Sequence, residues 1–412
     1  MSKYVELQRE IAFLNAKTAE ERLENLRSLI ESELIPPEVK PEYANNHIHT
    51  IYSFSPYSPT AAVYMARAEG LETAGIMDHD SVGGAKEFLA AAEVIGMPVT
   101  CGVECRVDMS KTVLAGRRLN NPDQISVAYV AMHGIPHQNI DAVQEFFAPY
   151  RENRNRRNRK MCENITKLVE PYGLSLDFDA DVLPISNYAV GGSVTERHIL
   201  FALTKKITAR YTTPESLLSF LRDEMKLSIS EKVSAQILAG RETPEFYEYD
   251  ILGALKSNMV EKFYVDATDE CPDVRDFIKM VHENGGIAAY AYLGDVGDSV
   301  TGDKKAQKFE DDYLDLLVDV LRDLGFDAIT YMPTRNTLPQ LRRLMKLCEE
   351  KGFFQISGED INSPRQSFKC KALDDPNFGH LIDATYTLIG YENAATKDLC
   401  AARKEYSEIF ER

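Results

Sequence analysis

His47 and His49 flank Ile48 in the stretch "NNHIHTIYSFSP", which begins at Asn45. If the stretch is a strand, alternation sends both imidazoles to one face and Ile48 to the other. Two imidazoles on one face suit a metal ion; a pair of surface histidines at a strand end is the plain alternative. Further along the chain, polar residues interrupt apolar runs at comparable places. "AGIMDHDS" ends in Asp78, His79 and Asp80, Glu104 sits inside "TCGVEC", and Glu359, Asp360 and Asn362 close "FQISGEDINSP". Taken singly they have structural explanations: a turn cap for Asp78 or Asp80, an ion pair for Glu104, a core position for His79, since a buried charge needs a partner. Taken together, two imidazoles and two carboxylates at strand ends make an N/O cage suited to Zn²⁺, Mn²⁺ or Fe²⁺.

The elements that must hold these residues alternate along the chain. "TAGIMDHD" precedes the helical pattern "GGAKEFLAAAEVIG", "MPVTCGVECRV" and "QISVAYVAMHG" follow, and later helical patterns lead to "IAAYAYLG", "DAITYMP" and "FFQISGED". Near-continuous apolar strands alternating with helices predict a parallel sheet covered by helices, and at least six such strands fit a closed or nearly closed barrel. Barrel enzymes gather their chemistry at the C-terminal strand ends, where these polar residues fall. The division that follows is a helical extension over residues 1–40, stopped at the prolines of "IPPEVKP", then a first part of the barrel over 41–140. A mostly helical insertion over the mouth takes 141–260, and the second part of the barrel with C-terminal helices takes 261–412. The run Arg151 to Lys160 reads as a solvated helix face that also brings cations to where the insertion meets the barrel.

Composition narrows the class of function. The 412 residues are 44% hydrophobic and 27% charged, enough for one large domain with an insertion or for two domains. No window reaches the roughly 18 uninterrupted apolar residues of a membrane span, and the first segment reads as a charged amphipathic helix rather than a signal peptide. Seven cysteines without a framework spacing suit reduced thiols, so the expected compartment is the cytoplasm. Cys101 and Cys105, the close pair, read as core or near-site residues rather than a zinc clip. A formal charge of −17 disfavours coating a nucleic acid, while a small anion held by a local basic cluster stays open.

The order "HIHT", "IMDHDSVGGAKEF", "GVEC", "GGIAAYAYLG", "ISGEDIN" resembles the polymerase and histidinol phosphatase (PHP) domain. The similarity covers residues 43–135 and 260–375, and "SVTERHILFALTKK" is similar to that family's Gly-Arg-Pro-His helix. The resemblance implies a distorted seven-stranded (β/α) barrel and metal-dependent hydrolysis of phosphomonoesters, with up to three metals in full members. Four positions depart from the pattern. Phe54 stands where the family commonly has Asp, Ala128 falls in register with a His, Tyr292 replaces the His of His-Pro, and Asn362 replaces the final His. Carried over position by position, His47, His49, Glu104 and Asp360 match the ligands of one metal; the other two sites each lose two ligands, and His79 remains from the third. The resulting expectation is a hydrolase of a small anionic substrate that holds one divalent transition metal, Zn²⁺ first with Mn²⁺ or Fe²⁺ as alternatives, whose bound water is acidified. His79, or Asp78 or Asp80 beside it, would be the general acid or base. Arg197, His198, Arg335 and Arg365 would meet phosphate, with Tyr292 and Asn362 also facing the substrate. Two rivals stay open: a mononuclear hydrolase, lyase or isomerase acting on a non-phosphorylated molecule, and a binding or regulatory module without catalysis.

Overall fold

The structure is a computed structural model that describes residues 3–32, 40–296 and 308–410, so most of the proline stop "IPPEVKP" lies outside the described residues. Its centre is a seven-stranded sheet in sequential order: β1 (Lys40–Ile48), β2 (Leu71–His79), β3 (Val99–Asp108), β4 (Val127–His133), β5 (Ile287–Ala291), β6 (Ala328–Tyr331) and β7 (Phe354–Ser357). An isolated parallel bridge between Ile48 and Ile361 nearly closes the ring, with His49 N donating to Ile361 O at 3.0 Å and Ile361 N to His47 O at 3.2 Å. Alternation along β3 explains the apolar run that carries the site. Cys101, Val103, Cys105 and Val107 are buried in the core under the helices. Gly102, Glu104 and Arg106 therefore turn to the barrel interior. That interior is filled by Met77, Ala131, Ile287, Ala289, Ala328 and Ile356, packed with Leu388 and Tyr391 of the helix Gly379–Lys397.

One strand departs from the expected parallel arrangement. β4 runs antiparallel to both β3 and β5. A parallel return needs a crossover, usually a helix. Here residues 109–126 form no helix and fold back on themselves, Met109 N donating to Ser126 O and Ser126 N to Arg117 O. The chain thus re-enters at the rim it has just left. Tyr129 consequently pairs with Arg106 near the mouth, and His133 is carried to the opposite end beside Ile287.

The segment after β4 is helical, from Ile140–Val169 to Pro244–Phe263, with no strand among its residues. It has its own core, in which Met161, Ile165, Leu203, Leu255 and Phe263 pack together with Phe54 from the loop after β1. The helices Gln8–Leu14 and Ala19–Glu31 lie against the outside of the barrel, where Arg22 forms a buried ion pair with Glu87 at 2.5 Å. Among the described residues, no helix is long and apolar enough to cross a membrane.

Candidate metal centre

Alternation in β1 and the register of β2 and β3 bring the first ligands together. His79 lies opposite Glu104 in the ladder, and the imidazoles of His47 in β1 and of His49, one residue past its end, close on that pair. His47, His49 and Glu104 each offer an atom within 4.8 Å of the other two. His47 Nε2 is 3.2 Å from His49 Nε2, and Glu104 Oε2 is 3.7 and 3.9 Å from these nitrogens. Asp360 Oδ1 joins from the loop after β7, 3.2 Å from His49 Nε2. Around an ion with ligand bonds of 2.0–2.1 Å, tetrahedral neighbours lie about 3.3–3.4 Å apart. Two facing Nε2 atoms at that spacing, with two carboxylate oxygens beside them, are what a divalent cation would hold together. The donor set fits the expected group.

The residues behind this cluster fix its geometry, and of them the sequence reading singled out Asp78, as a general acid or base rather than as a support of His49. His49 Nδ1 lies 3.1 Å from Ser53 Oγ, and Ser53 Oγ donates to Asp78 Oδ1 at 2.5 Å. Asp78 also accepts from Thr50 N at 2.7 Å and Thr50 Oγ1 at 2.6 Å, so it is buried behind His49 and away from the mouth. A carboxylate reaching an imidazole through a hydroxyl fixes the tautomer that leaves Nε2 bare for a metal. Asn45 Oδ1 accepts from both His47 N and Glu359 N, tying β1 to the loop that carries Asp360. Gly358 makes that approach possible: a Cβ there would stand 2.7 Å from His47 Cβ.

Burial and the charges of neighbouring groups oppose one another across the cluster. Burial raises the Glu104 carboxyl, but the His79 and His47 imidazoles against it hold it well below the usual carboxylate range. Burial also opposes charge on Asp360, and the hydrogen bond and charge of His49 outweigh it, so its carboxyl too lies well below its ordinary value. Burial disfavours protonation of His47, yet the neighbouring Glu104 holds its pKa above the ordinary value; His49, dominated by burial, lies below it. His79 Nδ1 is 3.0 Å from Glu104 Oε2, a close contact not aligned as a hydrogen bond. Its ring lies 4.6 Å from that of His49 and 6.0 Å from that of Tyr129, and its side chain keeps 23% exposure.

The other expected site residues are distributed differently. Asp80, with φ of 51°, places its carboxylate on Arg154, and its carbonyl accepts from Arg151. His198 is buried at the start of the helix Glu196–Arg210, where Nδ1 accepts from Thr195 N at 3.0 Å. Arg365 holds Asp250 with two hydrogen bonds, at 2.6 and 2.7 Å. Arg335 Nε donates to Leu293 O, and the buried Tyr292 gives its hydroxyl to Asp311. Arg197 and Asn362 are the two that reach the cluster: Arg197 donates to Asn362 Oδ1, and Asn362 Nδ2 donates to Asp360 Oδ1 at 2.6 Å. The run Arg151 to Lys160 is a solvated face only in part: Arg156, Arg159 and Lys160 are exposed, but other arginines face the barrel, as the cation expectation had it. Arg151, Arg154 and Arg157 are buried, recurring every three residues on the side of the helix Ile140–Val169 that meets the barrel.

Comparison with known proteins agrees with the motif reading. The PHP domain family model matches residues 45–206, which bears out the resemblance. The chain is similar in structure to a candidate metal-dependent phosphoesterase from Bifidobacterium adolescentis, with a TM-score of 0.53 and 19% identity, covering 86% of this chain and 99% of that one. It is also similar to an amidohydrolase from Chromobacterium violaceum bearing bound sulfate and no metal, with a TM-score of 0.52 and 17% identity over 83% of this chain and 96% of the other. At these identities the likeness carries the fold, a nearly closed barrel of seven strands with helices. No curated protein matches this chain in sequence.

Proposed function

We propose that this chain is a metal-dependent hydrolase of a small phosphorylated metabolite, working with one divalent ion held by His47, His49, Glu104 and Asp360. The observation that carries the reading is the convergence of His47, His49 and Glu104 donor atoms within 4.8 Å of one another on one rim of the barrel, with Asp360 Oδ1 3.2 Å from His49 Nε2. A divalent ion at such a centre supplies Lewis acidity and lowers the pKa of water. The protein's own groups do the rest. His79, with Nδ1 turned to Glu104, has Nε2 on the opposite edge of its ring to give or take the proton. Asp78 keeps His49 in its ligating tautomer through Ser53, and Asp80 anchors the insertion through Arg154 rather than touching the reacting atoms.

A second reading has a specific observation in its favour. Arg365 is paired with Asp250, and the buried His198 accepts the Thr195 amide hydrogen, which leaves fewer cations for a phosphate than the sequence suggested and favours a non-phosphorylated substrate. Metal analysis followed by turnover against a panel of phosphomonoesters, lactones and amides separates the readings. The proposal expects close to one tightly held ion per chain, loss of that ion when His47 and His49 are both changed to Ala, and release of inorganic phosphate. Turnover of amides or lactones alone would move the function to the second reading.

A further inference from the structure

The Asn362 amide has both ends committed, and chemistry fixes which way it points. A carboxylate only accepts hydrogen bonds and a guanidinium only donates them, so Nδ2 must face Asp360 and Oδ1 must face Arg197. The surrounding loop is locked by Gln366, whose Oε1 accepts from Asn362 N at 2.8 Å and whose Nε2 donates to Asp360 O at 2.7 Å. Arg197 comes from the first turn of an insertion helix, and its guanidinium sits over the ring of Phe54, 5.0 Å from the centroid. Phe54 and Asn362 are two of the positions at which the chain departs from the motif pattern, and one guanidinium contacts both.

We propose that Arg197 and Asn362 are positioning residues of the metal centre: the insertion's arginine, seated on Phe54, holds the Asn362 amide, and the amide aims Asp360 Oδ1 at the space it shares with His49 Nε2. Neither residue is then a substrate contact. The insertion becomes part of the metal site, since its arginine fixes the amide that orients one of the ligands. Groups that orient metal ligands typically change affinity by about 10- to 100-fold when removed.

This rests on the reading that the cluster binds a divalent ion, and the experiment separates the two. Metal-free protein is titrated with Zn²⁺ or Mn²⁺ alone, in competition with a chromophoric chelator. The wild type, Arg197→Met, Asn362→Leu and the double variant are compared, with Asn362→Ala used if the leucine variant fails to fold. Each single change is expected to weaken binding about tenfold. The double variant should be no weaker than Asn362→Leu, because Arg197 acts only through the amide. Unchanged affinity in variants of a wild type that binds one ion overturns the positioning role, whether the variants raise KM, as substrate contacts would, or only melt earlier, as structural residues would. Additive losses overturn the route through the amide. A wild type that binds no ion removes the metal centre itself, and this inference with it.

Discussion

His79 touches the ligand Glu104 through one ring edge and keeps the other for chemistry, so its removal should separate metal retention from turnover. We expect His79→Ala to keep its ion, because four other donors remain, while kcat falls roughly 100-fold or more. Metal loss equal to that of the His47 and His49 double change would make His79 a ligand instead, and unchanged kcat would make it structural. Arg365 makes the opposite case. Its partner Asp250 has a side chain only 5% exposed, and Arg365→Ala would leave that carboxylate unpaired at a cost of about 2 kcal/mol, read from urea unfolding. A rise in KM for a phosphorylated substrate at unchanged stability would return Arg365 to the mouth. The two residues differ in how legible they were. His79 and its neighbours could be placed because strand alternation is local, fixing the face of His47, His49 and Glu104 from spacing alone. Arg365 could not, because Asp250 lies 115 residues away on an insertion helix whose docking no local pattern encodes.

Among the elements, six of the seven strands could be read as apolar runs and β1, KPEYANNHI, only from the spacing of its histidines, but the direction of β4 could not. Hydrophobicity reports burial, and burial is the same for either direction; only the loop 109–126, which has no crossover helix, reverses the strand. The buried side of the helix Ile140–Val169 escapes such reading for a related reason. Arginines spaced by three look like a wet face until acids elsewhere in the fold are found to cover them. The helix Glu196–Arg210 offers a test tied to its own start. His198 Nδ1 accepts the Thr195 amide hydrogen and therefore must be unprotonated. Burial, reinforced by the Arg154 charge, lowers its pKa from 6.5 to about 3. Below pH 6.5 the unfolded chain takes up this proton more readily than the folded one. The stability from neutral His198 is thus complete above pH 6.5 and lost as pH falls towards 3, by up to about 1.4 kcal/mol per pH unit. A glutamine at this position can accept the same amide hydrogen without titrating. Thermal melts from pH 7 to pH 4 should accordingly show His198→Gln losing midpoint less steeply than the wild type. Parallel slopes would mean that the acid sensitivity lies elsewhere.

At the scale of the whole molecule, a chain of net charge −17 keeps part of its positive charge inside, at the seam between two hydrophobic cores. Arg106 from β3 and Arg157 from the insertion share the carboxylate of Glu270, while Arg154 reaches Asp80 beside His79; all five side chains are no more than 6% exposed. The apolar link across the same seam is Phe54, packed on Phe201, Tyr249 and His198. Buried pairs are held by geometry and little screened by salt, and breaking one leaves an uncompensated charge at a cost of about 3 kcal/mol or more. Glu270→Gln would leave two buried guanidiniums without their shared anion at the place where the insertion meets the barrel. We expect this variant to unfold by calorimetry in two transitions, the insertion's core first, where the wild type gives one, and raised salt should not restore the single transition. Metal affinity should fall with docking, since Arg197 then loses its hold on Asn362. One unchanged transition in Glu270→Gln, with metal affinity intact, would show that Phe54 and its apolar neighbours carry the joint, and that the buried charges only fill it.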